Sequence, residues 1–93
     1  MKKFLAMGAI PIVLHKERVM KSWIGRNVRV DVLEHTLCGI EAFAHFGTLK
    51  AVEGPMILLN METTMHDGMC QPSPAAIWFN TGAISFKSIM LTD

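Results

Sequence analysis

Two histidines and two cysteines stand at spacings that suggest metal or nucleophilic chemistry. His35 precedes Cys38 by three residues, and His66 precedes Cys70 by four. Zinc binds a set of two His and two Cys tetrahedrally. On a strand, however, His35 and Cys38 would point to opposite faces, because side chains alternate with a period of two. We therefore expect two buried thiols and two surface or loop histidines rather than a metal site.

The same residues could supply a Cys–His nucleophile pair, but no third residue that would orient the histidine and no oxyanion-hole glycine pattern accompanies them. Acid–base work by Glu41 with His45, or by Glu62 with His66, fits the sequence, and so do solvated strand residues. The chain has no phosphate-binding P-loop, no dinucleotide fingerprint and no HExxH motif. We expect no catalytic residue, no cofactor and no metal, so the chain is not predicted to be an enzyme.

Basic side chains concentrate at the start of the chain. The first 29 residues hold seven Lys or Arg and one acid, a net charge of +6, and the remainder holds two bases and seven acids, a net charge of −5. A basic surface can neutralise nucleic-acid phosphates. The candidate nucleic-acid-binding residues are Lys16, Arg18, Lys21, Arg26 and Arg29. Alternatively, these charges pair with acidic faces of neighbouring subunits or are simply solvated.

Four aromatic residues could stack on bases, provided that they are exposed beside basic residues. They are Trp23, Phe43, Phe46 and Trp78. Trp23 lies in the basic segment and fits this requirement best. Its alternative role is to anchor a helix on the core.

The elements that would position these residues belong to one domain, because the chain has only 93 residues. Apolar side chains at helical spacing predict a helix over residues 15–24, and Gly25 is a typical stop. Residues 1–14 begin like a secretory signal, but no small-residue cleavage site follows, and the apolar run is too short to span a bilayer. We interpret residues 1–14 as an apolar arm or strand and residues 15–93 as the folded domain.

After Gly25 the hydrophobic period changes to two. Val28, Val30 and Val32 alternate with other residues, and Gly47 interrupts a second extended segment where a bulge or bend is expected. A long strand follows Pro55, and residues 66–74, with one Gly and two Pro, are predicted to be a loop. Two short strands, 75–79 and 84–91, close the series. Five short strands separated by turns indicate a mainly β, antiparallel fold.

This order of elements resembles the Sm-like family, which includes the eukaryotic Sm and Sm-like proteins and bacterial Hfq. The best local match is FGTLKAVEGPMILLNME, residues 46–62. Gly47 and Leu49 match the family's strand glycine and leucine, Glu53 stands where an Asp is usual, and Met56 stands where a Met is common. Residues 25–30 are similar to the start of the family's first strand, and residues 79–89 to its closing strand pair.

The resemblance implies a short N-terminal helix followed by a five-stranded, strongly bent antiparallel sheet that forms a small SH3-like or Sm-like barrel. It also implies a non-enzymatic, ring-forming module that binds RNA. The base-holding positions depart from the family: Pro55 and Ile57 replace an aromatic or His and an Asn, and Asn80-Thr81-Gly82 lacks the usual Arg. The alternative is therefore a ring-forming interaction module that binds a protein or small ligand without nucleic-acid function. Extra residues between Val32 and Phe46 would alter the rim or a subunit contact.

The expected partners are other copies of this chain and RNA, and no membrane is expected. Hydrophobic residues make up 51% of the sequence, more than a small core needs, so we expect apolar surface to be buried in a homo-oligomer. Two cysteines do not make a disulfide framework. We therefore expect a cytoplasmic location.

Overall fold

A computed structural model describes residues 18–93. The predicted arm at residues 1–14, Lys16 and the start of the predicted helix lie outside the described residues. Residues 18–21 are helical, so the helix ends before residue 24. It tightens into turns in which the amides of Ser22 and Trp23 donate to carbonyls three residues back, at 3.1 and 2.9 Å. Gly25 adopts a φ of +91° and leads the chain into the first strand.

Five strands follow and form a single antiparallel sheet. They are β1 (Asn27–Thr36), β2 (Gly39–Glu53), β3 (Met56–His66), β4 (Met69–Asn80) and β5 (Phe86–Leu91). Their order across the sheet is β4-β3-β2-β1-β5. Register shifts interrupt three of the four strand pairs, and such bulges bend strands and increase their twist. The predicted mainly β class, with five antiparallel strands, is confirmed.

The core lies on one face of the sheet, where the period-two pattern places its apolar residues. Val28 and Val30 are fully buried in β1, and Ile57 and Leu59 are fully buried in β3. Leu49 of β2 lies between them and is also fully buried. Burial of each such side chain contributes about 1.5–3 kcal/mol. The alternation predicted for β1 is therefore confirmed, and β3 follows the same pattern.

Gly47 marks the point where β2 comes closest to β3. A Cβ atom at this position would overlap the carbonyl oxygen of Asn60 and lie 2.8 Å from the Cα of Met61. The register between the two strands shifts between Phe46 and Gly47. The predicted bulge at this glycine is confirmed. The close backbone contact leaves no room for a side chain, which explains why the position is a glycine.

The predicted loop over residues 66–74 is wrong. Only Asp67 and Gly68 form the turn, both with positive φ (54° and 78°), and β4 begins at Met69. An Asp-Gly pair with two positive φ angles is a preferred two-residue hairpin turn. Pro72 and Pro74 argued against a strand, but β4 is an edge strand, where a missing backbone N–H is tolerated.

Two hairpins project from the same end of the sheet. The β1–β2 ladder continues to the pair Thr36–Gly39, although backbone pairing with β5 reaches along β1 only as far as Val32 and pairing of β2 with β3 begins only at Ala44. The extra residues noted in the sequence thus lengthen this first hairpin. We call residues 34–41 and residues 65–70 the two hairpin tips. The described residues span 51 × 31 × 18 Å.

Candidate functional site

The two edge strands of the sheet are its clearest surfaces for interaction. β4 has β3 as its only strand partner and β5 has β1, so each presents a free edge among the described strands. Such an edge is a template for pairing with a strand of another chain. Trp78 on β4 and Met90 on β5 are large apolar side chains that remain 45% and 43% exposed. These edges can accept a neighbouring strand and bury apolar surface in doing so.

Two prolines in β4 limit its pairing with a strand of another chain. Pro72 and Pro74 remove two backbone donors from its first half. The second half, residues 75–80, contains no proline. The segment available for pairing is therefore the one that ends at Asn80, beside Trp78.

Four of the five predicted nucleic-acid-binding residues lie among the described residues. Arg18 and Lys21 are exposed on the helical segment. Arg26 pairs with Asp93 at 3.1 Å, and Arg29 pairs with the carboxylate two residues ahead of it, Asp31, at 3.0 Å. The two arginines nearest to the sheet therefore already hold carboxylates of this chain, and a phosphate must compete with them.

The stacking candidates also divide. Trp23 is half-buried against the core, which supports its alternative role as an anchor of the helical segment. The guanidinium of Arg29 lies 5.6 Å above the ring of Phe46, and Phe43 stacks on His66 with 4.2 Å between ring centroids. Trp78 is the most exposed of the four, but it lies on the edge strand β4 and not in the basic segment.

A histidine–glutamate cluster, made of Glu34, Glu41, His45 and His66, lies where the hairpins leave the core. His45 is buried, with Nδ1 2.8 Å from the hydroxyl of Thr64 and Nε2 3.2 Å from Glu34. His66 contacts Glu41 at 2.7 Å. The register pairs His45 with Glu34 and His66 with Glu41, and not Glu41 with His45 or Glu62 with His66, the two combinations that the sequence left open.

His66 is held by two acceptors. Its Nδ1 lies 3.1 Å from the backbone carbonyl of Ala42, and its Nε2 contacts Glu41. The hydrogen bond to the Ala42 carbonyl, followed by the charges of Glu41 and Asp67, raises the pKa of His66 above its ordinary value of 6.5, although partial burial opposes the shift. The surroundings thus favour the charged imidazolium.

The two cysteines are free and exposed, so the expectation of buried thiols is wrong. Cys38 lies in the β1–β2 turn, and Cys70 lies in the second strand of the β3–β4 hairpin. Within residues 18–93, no three His, Cys, Asp or Glu side chains come together as metal ligands.

The sequence contains one usable signal for the cluster. Glu34 and Glu41 stand opposite each other if the β1–β2 hairpin turns at residues 37 and 38, and His45 then shares their face because it lies at an even spacing from Glu41. Placing His66 on that face requires the bulge between Met61 and Thr63, which shifts the register by one residue. The bulge lies opposite Gly47 and Phe46 of β2, and Gly47 is its only signal in the sequence.

No helix among residues 18–93 has both the length and the apolar character needed to cross a bilayer. Comparisons with protein-family models, with curated proteins and with solved structures return no match for this chain.

Proposed function

We propose that this chain is a non-enzymatic, Sm-like oligomeric module that assembles through its sheet edges and binds RNA with the basic residues before and within β1. The observation that carries the proposal is the strand order β4-β3-β2-β1-β5, with β4 and β5 as the two open edges. In this proposal the bent sheet closes as a small barrel. Pairing of β4 in one copy with β5 in the next is head-to-tail, and head-to-tail contacts close into rings when the rotation permits.

The local backbone supports the same proposal. The FGTLKAVEGPM match depends on a strand glycine, and Gly47 is required here because the β3 backbone at Asn60 and Met61 leaves no space for a Cβ atom. The acidic turn after this strand places Gly54 at a φ of +58°. A helical segment precedes β1, as in the resemblance.

RNA contact would come from charge rather than from a base pocket. Ile57 is fully buried in the core and cannot hydrogen-bond a base. The side-chain oxygen of Asn80 accepts a hydrogen bond from the backbone amide of Gly82 at 2.9 Å. Arg18, Lys21 and Arg26 remain on the surface, with Lys16 preceding them in the sequence. Such binding is salt-sensitive and weakly selective for sequence.

The alternative is a ring-forming interaction module that binds a protein or small ligand and has no nucleic-acid function. The observation in its favour is that both Arg26 and Arg29 are paired with carboxylates of the same chain. Under this alternative, Arg26 and Arg29 stabilise the fold and leave little charge for phosphates.

Light scattering after size exclusion, with a U-rich or an A-rich RNA at two salt concentrations, tests both proposals. The Sm-like proposal expects a mass that is a multiple of 10.3 kDa and RNA binding that weakens steeply with salt. A ring that ignores both RNAs would favour the alternative. A stable monomer would overturn the assembly that both proposals share.

A double variant, Arg18→Gln with Lys21→Gln, tests the RNA surface. For single strands each phosphate contact contributes about 0.7 to the slope of log K against log salt, so the slope should fall by about 1.4. Lys87→Gln, which neutralises an exposed lysine on β5, is the control and should leave the slope unchanged. Equal slopes for all three proteins would remove these two residues from the RNA surface.

A further inference from the structure

One histidine joins the two hairpin tips. The ring of His66, at the end of β3, reaches the backbone carbonyl of Ala42 and the carboxylate of Glu41, both on β2. A carbonyl and a carboxylate only accept hydrogen bonds, so both contacts are hydrogen bonds when both ring nitrogens carry protons. Phe43 lies 4.2 Å from the ring with an angle of 16° between the planes, which holds the imidazole flat against β2.

The contact continues to the turn of the first hairpin. Glu41 also accepts a hydrogen bond from the hydroxyl of Thr36. The oxygen of Thr36 accepts in turn from the amide of Cys38 at 3.1 Å. An unbroken series of hydrogen bonds therefore runs from the β1–β2 turn to the end of β3, and His66 supplies its last two bonds.

We propose that protonation of His66 holds the two hairpin tips together and that its deprotonation releases them. A neutral imidazole has one N–H and one lone pair. With acceptors on both sides, the neutral ring loses one of the two bonds and directs its lone pair at an oxygen. The tips are then linked when His66 is charged and separate when it is neutral.

The charges around the ring set the direction of this response. Glu41 on β2 contacts His66, and Asp67 lies in the adjoining turn. Glu34 on β1 and His45 on β2 lie on the same face of the sheet and pair with each other. β4 contributes no charged side chain over residues 69–73, and its Cys70 lies on the opposite face, paired with Met65. Because the pKa of His66 is raised, the link is complete below pH 6.5 and is lost as the pH rises through that raised value.

The native cysteines make the separation measurable. Cys38 lies in one tip and Cys70 in the other, and both thiols are free and exposed. Nitroxide labels on the two thiols report the tip-to-tip distance by double electron–electron resonance. Dilution with unlabelled chain removes distances between copies, so the result does not depend on oligomeric state. Measurements at about pH 5 and about pH 9 lie on either side of histidine titration.

We expect a narrow distance distribution at the lower pH and a broader, longer one at the higher pH. His66→Gln should be broad at both, because an amide cannot donate to both acceptors across the ring positions. His35→Gln, which alters an exposed histidine of the first hairpin tip, should behave like the parent chain. Glu41→Gln keeps an acceptor but removes its charge, so it should move the transition to lower pH. A pH-independent parent chain, or a His66→Gln variant that keeps the pH response, would overturn the proposal.

Discussion

A phosphate that binds Arg26 or Arg29 must compete with a carboxylate of this chain, and the competition differs between the two arginines. The pair of Arg26 with Asp93 is exposed, and exposed ion pairs contribute little to stability, so a phosphate can displace the carboxylate. Arg29 donates from Nε and Nη2 to Asp31 and lies over Phe46. Asp31 also accepts from the hydroxyl of Ser88 on β5. Arg29 therefore contributes to the β1–β5 contact, whereas Arg26 remains available to a ligand.

Asp93 should stabilise the fold only when it is ionised. Its carboxylate accepts from the amide of Asn27, which lowers its pKa below 3.8, and Arg26 lowers it further. A lowered pKa gives stability that is present above pH 3.8 and is lost as the pH falls through the lowered value. We expect Asp93→Asn to unfold at lower urea than the parent chain at neutral pH and at the same urea in strong acid. A difference that persists unchanged into acid would contradict this role of the charge.

Gly47→Ala should destabilise the chain severely. The new Cβ meets the backbone of Asn60 and Met61, which cannot rotate away as a side chain can. Overpacking typically costs 1–3 kcal/mol, and we expect the free energy of unfolding to fall by about 3 kcal/mol. Urea denaturation measures it. The control is Gly82→Ala, whose Cβ meets only the Asn80 side chain, at 3.3 Å, and whose effect should stay within about 1 kcal/mol. Equal effects at the two positions would show that close approach is not the reason for Gly47.

The part of the sheet that can be predicted from the sequence is the part in which buried and exposed side chains alternate along a strand. The buried residues of β1 and β3 follow directly from this alternation, because β-branched and apolar side chains recur at every second position. The prolines of β4 obscured a strand whose Asp-Gly turn was nevertheless present in the sequence. Ion pairs such as Arg26 with Asp93 are a different case, since they join the two ends of the described chain and depend on the order of strands.

The Asp67–Gly68 turn should contribute to stability as much as a strand residue does, because it connects β3 to the edge strand β4. Ala at position 68 would have to adopt a φ of 78°, and left-handed backbone costs about 1–2 kcal/mol for a residue with a Cβ atom. We expect Gly68→Ala to lower the free energy of unfolding by that amount in urea denaturation. Asp67→Asn keeps a residue type favoured in this turn and should be nearly neutral. A neutral Gly68→Ala variant would mean that residues 66–74 behave as a loop.

Assembly through the sheet edges should depend on Trp78. A charge on the edge opposes strand pairing with another chain. We expect Trp78→Lys to reduce the mass measured by light scattering to that of a single chain while the circular dichroism of the sheet is kept. Ile84→Lys is the matched control, since Ile84 is 95% exposed but lies between β4 and β5 rather than on them. Loss of mass in both variants, or in neither, would remove the β4 edge from the interface.

The strand order also predicts the sequence in which the strands pair during folding. β1–β2, β2–β3 and β3–β4 are pairs of consecutive strands, and hairpins of this kind form within about 1–10 μs. The β1–β5 pair instead joins segments separated by more than half of the chain, and closing so long a loop carries the larger entropic penalty. β5 should therefore dock last during folding and detach first during partial unfolding. Amide hydrogens shared between β1 and β5 would then exchange with solvent sooner than those between β2 and β3, so one of the two sheet edges is also the least protected part of the sheet.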